Sequence, residues 1–292
     1  MLRSFVRHRV LLSVMGTVAV LGLFLLGGCS SFYPPLTDAA IRERFNGFPI
    51  PESRVVKVGD RQLHYVDSLA EGKPLVVFIH GSPGAWDAFE EFFKASELTE
   101  RVRIISVDRP GYGRSDLGTP ERSLKQQASI LSEVFQHNAS GGGAILVGHS
   151  FGGPVAARMA IDYSDEVAGL VLVAASVDPE LEETKWYQIP AHWKAFSWAV
   201  PRDLYSTNEE ILPLAEELRG LDWPKLRAPT IVIQGGKDKL VPKENADFLE
   251  RLELPAIREV QRYPELNHFV PWSRPELIID AILDLLPARD AD

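Results

Sequence analysis

A serine hydroxyl attacks only when a neighbouring base takes its proton, so a chain that uses one must hold it where a base can reach. In Gly148-His149-Ser150-Phe151-Gly152 the serine has a glycine two residues before it and another two after. Upstream, the apolar run Ala144 to Val147 reads as a buried parallel strand, and Pro154 through Ala160 reads as a helix with its proline in the first turn. Ser150 therefore stands on a strand-to-helix turn. A serine there needs a strained backbone, and glycines at 148 and 152 remove the side chains that would collide where strand and helix pass. An ordinary glycine-rich turn fits the same five residues, so the rest of the chain must supply the base and its partner.

Several elements could position such a site. Arg54 to Ser68 holds two β-rich runs around Gly59-Asp60 and reads as a hairpin at a sheet edge, with His64 as a strand residue. Leu75 to Ile79 (LVVFI) is apolar throughout, as expected of a strand buried on both faces, and leads into His80-Gly81-Ser82-Pro83-Gly84. Val102 to Val107 is another strand. A helix with Thr119 as N-cap and Pro120 at its first position is expected next, with Leu124, Ala128, Leu131 and Phe135 on its buried face. Val167 to Val173 and Thr230 to Ile233 are further strands. Strands alternating with helices predict an α/β fold with a mostly parallel, doubly wound sheet.

Val177 to Arg227 breaks that alternation: it holds Trp186, Trp193, Trp198 and Trp223 and is punctuated by five prolines. A stretch of this length is expected to be a small helical lid over the carboxyl ends of the strands, where open α/β sheets bind ligands. Its tryptophans could line a pocket or pack the lid onto the core.

At the amino end, Arg3, Arg7 and Arg9 precede an apolar run from Val10 to Leu26 with no acidic residue, the layout of a secretory signal. Leu26-Gly27-Gly28-Cys29 resembles the lipobox of bacterial lipoproteins, which implies acylation of Cys29 and a membrane as partner. Ser30 after it points, in a host with an outer membrane, to sorting to that membrane facing the periplasm by analogy with enterobacterial lipoproteins, and otherwise the outer face of the cell membrane is expected. An uncleaved helix anchor is the alternative, since 17 apolar-rich residues are just long enough to span a bilayer. Residues 29–50 are expected to be a tether, 51–176 and 228–292 a core, and 177–227 the lid. Without residues 1–28, which carry three arginines and no acid, the formal charge moves from −9 to −12. That balance argues against nucleic acid as a partner. Cys29 is the single cysteine, so no internal disulfide can form.

From about Arg54 to Leu286 the chain resembles the α/β-hydrolase superfamily, in its lid-bearing serine esterase-like branch, on four separated motifs in the family order. The resemblance implies Ser150 as nucleophile within the elbow formed by Gly148, His149 and Gly152. It carries over Asp238, from Gly235-Gly236-Lys237-Asp238, as the acid and His268, from Asn267-His268-Phe269, as the base. The expected chemistry is proton transfer from Ser150 to His268, with Asp238 fixing the imidazole tautomer. Asp178 is the rival acid. The oxyanion hole is expected from the N–H groups of Ser82 and Phe151, since Pro83 has none. His149 is expected to follow the elbow pattern rather than face the pocket, His80 to brace its loop, and His137 and His192 to lie at the surface. Asp108 to Asp116 is assigned to structure, its charges pairing with one another. Family members that open epoxides attack with aspartate, whereas serine here implies acyl transfer to water from a small-molecule acyl substrate, most simply an ester, with lactones, thioesters, some amides and certain carbon-carbon cleavages left open. Neither metal-ligand spacing nor a dinucleotide fingerprint is present, so no cofactor is expected. The competing class is a ligand-sensing protein on the same fold, because fold alone does not fix function.

Overall fold

The computed structural model describes residues 31–182 and 200–287. The expected leader, Cys29, and Trp186, His192, Trp193 and Trp198 of the expected lid lie outside them. Eight strands form one sheet: β1 (Glu52–Val58), β2 (Arg61–Asp67), β3 (Leu75–Ile79), β4 (Arg103–Val107), β5 (Ala144–His149), β6 (Val167–Val173), β7 (Thr230–Gly235) and β8 (Ile257–Tyr263). Their order is β1-β2-β4-β3-β5-β6-β7-β8. The β1–β2 hairpin turns at Gly59-Asp60 and β2 pairs antiparallel with β4, while every pairing from β4 to β8 is parallel. Because β3 lies between β4 and β5, the chain leaves β3 to one side and returns on the other. The crevice that opens at the carboxyl ends of β3 and β5 is the switch point where such sheets bind ligands.

Alternation along the buried strands assigns each residue to one of two cores. Leu75, Val77 and Ile79 pack with Leu146 under α2 (Leu124–Leu131) and α3 (Gly152–Asp162). Val76, Phe78 and Val147 pack on the other face against the turn Trp86–Phe93, α1 (Asp38–Arg44) and α7 (Pro275–Leu285). Also helical are α4 (Arg202–Ile211) and α5 (Leu214–Arg219) in the expected lid, α6 (Glu244–Arg251) beside β7, and the one-turn segments Ser96–Thr99 and Val270–Ser273.

Three expectations change. α2 begins at Leu124, not Pro120: Gly118 turns the chain at φ +83°, Arg61 holds the Thr119 carbonyl at 2.6 Å, and the Leu124 N–H donates to Glu217 of α5 at 2.8 Å. The lid thus supplies the acceptor that a capping side chain would give. Within the expected tether, α1 buries Ile41 and Phe45 in the core, and only residues before it can act as a leash. The edge strand β8, with Arg258, Glu259 and Arg262 among its seven residues, has no continuous apolar run and was not expected. Of the lid tryptophans, Trp223 is described, and it packs in the core against Phe248.

Candidate functional site

Ser150 takes φ +54°, the left-handed region that costs a non-glycine residue of the order of 1–3 kcal/mol. The sheet holds it there: its N–H donates to Val173 at 3.0 Å, and its carbonyl accepts from Gly153 at 2.9 Å. The flanking glycines are required by contact. A Cβ on Gly148 would lie 2.5 Å from the Gly152 carbonyl oxygen, and one on Gly152 would overlap the Ile79 carbonyl. The strained turn expected from the glycine spacing is therefore present, and it presents Ser150 at the end of β5.

The loops after β7 and β8 bring Asp238 and His268 together. Asp238 accepts from His268 Nδ1 at 2.8 Å and from the N–H groups of Leu240 and Val241, both at 2.9 Å. Burial works to raise the Asp238 pKa, but these three donors outweigh it and hold the carboxyl below its ordinary value. A carboxylate opposite Nδ1 makes Nδ1–H the donor and leaves Nε2 as the free acceptor. His268 and Ser150 line the same cavity, of about 470 Å³, with no direct hydrogen bond between them; such bonds commonly close only once substrate is seated. Asp178, the rival acid, is engaged elsewhere: it accepts from Arg251 and from the Glu180 N–H.

The loop after β3 lies against Ser150, since a Cβ on Gly81 would come within 2.8 Å of Ser150 Cβ. Its hold is Arg109, which donates to the carbonyls of His80 (2.8 Å) and Gly81 (3.1 Å) and to Ser82 Oγ (2.6 Å). The same guanidinium stacks 4.7 Å from the centroid of the Phe151 ring. Arg109 therefore touches both residues whose N–H groups were expected to form the oxyanion hole. Its charge is balanced by Glu210 of α4, at 2.7 and 3.0 Å, with Tyr112, Ser82 and Gln127 also bonded to that carboxylate. All of Arg109, Tyr112 and Glu210 are buried. Neither arginine nor glutamate was singled out from the sequence: Glu210 sits in a lid with no motif, and Arg109 stood in a stretch assigned to structure.

The remaining histidines divide. His80 braces its loop as expected, with Nδ1–H donating to Gly81 and Nε2 accepting the Arg109 N–H; burial, aided by the Arg109 charge, lowers its pKa to about 3. His149 corrects an expectation. It lines the cavity, its ring centroid is 4.7 Å from that of His268, and its Nε2–H donates to the His268 carbonyl at 3.0 Å. Burial, then the neighbouring His268, lowers its pKa to about 3. It anchors the His268 loop because β5 and the loop after β8 meet at this end of the sheet. His64 is fully buried and bonded to Asp108 at 2.7 Å, and His137 is half-buried and bonded to the Tyr65 hydroxyl rather than free at the surface. The charges of Asp108 to Asp116 pair outward: Asp108 with His64, Arg109 with Glu210, Arg114 with Asp38 and Asp116 with Arg61.

Residues 76–281 match the model of the alpha/beta hydrolase family. The chain belongs to the alpha/beta hydrolase family. Among its relatives are "Epoxide hydrolase 1" of Caenorhabditis elegans, 29% identical over 68% of this chain and 48% of that protein, and "Pimeloyl-[acyl-carrier protein] methyl ester esterase" of Proteus mirabilis, 31% identical over 71% of this chain and 80% of that protein. The chain thus spans about half the length of the first. The crystal structure of a putative lipase from Acinetobacter baumannii superposes with a TM-score of 0.62, at 22% identity over 85% of this chain and 95% of that one. At that identity the likeness is one of fold, and it agrees with the eight-stranded, mostly parallel sheet.

Proposed function

We infer that the protein is a serine hydrolase that cleaves ester-type acyl substrates through Ser150, His268 and Asp238, and that it is held at the cell envelope by a lipid on Cys29. One observation carries the enzymatic part: a serine strained into the left-handed region shares a cavity with a His–Asp pair whose second ring nitrogen is free to accept a proton. Ser150 Oγ adds to the substrate carbonyl carbon while His268 Nε2 takes its proton. The N–H groups of Ser82 and Phe151 stabilise the oxyanion, a role supported by the loop that Arg109 clamps beside Ser150. Collapse breaks the bond to the leaving oxygen, which receives the proton from His268. A water then repeats the sequence on the acyl-enzyme and frees the acid and Ser150.

Of the two relatives named above, one is an epoxide hydrolase and the other a methyl ester esterase, and the elbow residue favours the ester. A carboxylate that opens an epoxide forms an ester, which water can cleave at its carbonyl. A serine would form an ether, which has no carbonyl to attack, and turnover would stop. A panel of acyl esters of graded chain length, with the full chain against Ser150→Ala, tests the reading: turnover that disappears in the variant supports it. No turnover above Ser150→Ala across esters, lactones and amides replaces it with ligand sensing. For the anchor, an acylated Cys29 in the mass spectrum of membrane-extracted protein is expected. An unmodified Cys29 there contradicts it.

A further inference from the structure

Beyond Ser150, the mouth of its cavity has a composition that the acyl chemistry leaves unexplained. Leu240, Phe269 and Trp272 line the cavity yet are 66%, 50% and 50% exposed. Leu240 and Phe269 come from the two loops that carry Asp238 and His268, and Trp272 from the short helix Val270–Ser273 that follows the second. Tyr33 completes the rim, 44% exposed, with Phe32 beside it at 66%. Large apolar side chains gathered at one opening mark a binding surface rather than ordinary solvent-facing scatter. Lys237, Lys239 and Lys243 are exposed around Leu240, a basic cluster on a chain whose overall charge is negative.

The amino-terminal segment identifies the occupant. Ser31 Oγ and the Tyr33 N–H both donate to Asp203 of α4, at 2.8 and 2.9 Å, so the chain enters the fold at the cavity mouth and on the lid. Cys29 is four residues from Tyr33, a reach of at most about 14 Å even when extended. With the lipid on Cys29 the bilayer lies within that distance of the rim, and with the apolar run to Leu26 as a helix it lies seven residues from Tyr33, at most about 25 Å. Aromatic and aliphatic residues flanked by lysine suit the headgroup boundary, where basic side chains are drawn to anionic lipid.

We propose that this rim docks on the bilayer that holds the amino terminus, so that the Ser150 cavity opens onto the membrane and takes acyl lipids from it as substrate. The proposal rests on the anchored-hydrolase reading and adds orientation and substrate class to it. An acyl chain leaving the bilayer would pass Leu240, Phe269 and Trp272 on its way to Ser150 without crossing water.

The test uses full-length protein, processed by its host and reconstituted in phosphatidylcholine vesicles with and without phosphatidylglycerol. A polarity-sensitive dye is attached to Leu240→Cys or, as a reference, to Gly142→Cys. Gly142 precedes β5, about 20 Å from Ser150 along the strand, and a side chain there meets nothing within 4 Å. With a quencher carried on the lipid, at least three-fold more quenching is expected at 240 than at 142, increasing with the anionic lipid. Equal quenching in protein that stays on the vesicles overturns the docking and leaves the anchor standing. Protein that floats free of the vesicles overturns both. This readout does not need turnover, so it is separate from the hydrolase reading. Fatty-acid release from vesicle phospholipid, absent in Ser150→Ala, is expected from the unlabelled chain. Turnover of a soluble ester without such release overturns the lipid substrate while the hydrolase stands.

Discussion

Glu210→Ala tests how far the lid and the loop beside Ser150 act as one unit. Glu210 is 1% exposed and receives both terminal nitrogens of Arg109, the Tyr112 hydroxyl at 2.5 Å and Gln127 at 3.2 Å. Burial opposes the Arg109 charge, and Glu210 more than offsets it, so the guanidinium pKa lies above its ordinary value. Truncation leaves that fully buried cation without its counter-charge, a change that costs about 3–5 kcal/mol when one partner of a buried pair is removed. The carbonyls of His80 and Gly81 still accept from Arg109, which places the expected loss near the lower end, at about 3 kcal/mol by urea unfolding. Turnover of a soluble ester should fall by about 10², the cost of misplacing one oxyanion donor. Arg109→Met combined with Glu210→Leu removes both charges and should recover most of the stability. It should not recover turnover, because the guanidinium contacts to His80, Gly81 and Ser82 and the Glu210 contact to Ser82 are then gone and only the His80 ring still holds Gly81. Loss of less than about 1 kcal/mol in Glu210→Ala, or recovery of both quantities in the double variant, refutes the reasoning.

Asp238→Asn keeps an acceptor for the Leu240 and Val241 amides but can turn an N–H toward His268 Nδ1, which drives the ring to the tautomer with Nε2 protonated. Turnover should fall by about 10⁴ with the fold intact, while Asp178→Asn, which loses a contact to Arg251, stays near wild type; the reverse pattern would reassign the acid. Burial holds His80 and His149 neutral, each with a pKa of about 3 against 6.5 in the unfolded chain. The unfolded state therefore binds more protons between those values, so this stability is fully present above pH 6.5 and is lost as pH falls toward 3. At pH 5 each histidine should cost about 2 kcal/mol, so urea unfolding at pH 5.0 should give about 4 kcal/mol less than at pH 7.5. Equal stability at the two pH values would contradict their burial as neutral rings.

The strands were legible wherever both faces are covered. LVVFI and VAGLVLV coincide with β3 and β6, because burial on both sides demands an unbroken apolar run that composition reveals. β8 escaped because a partly covered edge strand intersperses charge among its apolar residues: Ile257 and Val260 pack on one core and Tyr263 on the other, while Arg258, Glu259 and Arg262 are exposed between them. The elbow was legible because its glycines answer to collisions with the backbone, a local constraint that leaves a fixed spacing. Asp238 and His268 follow loops whose short motifs mark them. Glu210 left no such mark: its role comes from a lid helix about a hundred residues beyond Arg109, and only the folded chain brings them together. His149 was misjudged for the same reason, since the His268 carbonyl that it holds arrives from the far end of the sequence. The start of α2 could not be read locally either, because its capping carboxylate, Glu217, is contributed by the lid.

The central claim is that Ser150 is the one activated serine. Intact mass measurement and peptide mapping of the full chain after exposure to a phosphonate that mimics a tetrahedral ester intermediate address it directly. A single adduct should form, one per chain and located on Ser150, and both the adduct and ester turnover should be absent in Ser150→Ala. Serines with no base to take their proton should remain unlabelled. An adduct on another residue, or wild-type labelling that persists in Ser150→Ala, would contradict the account.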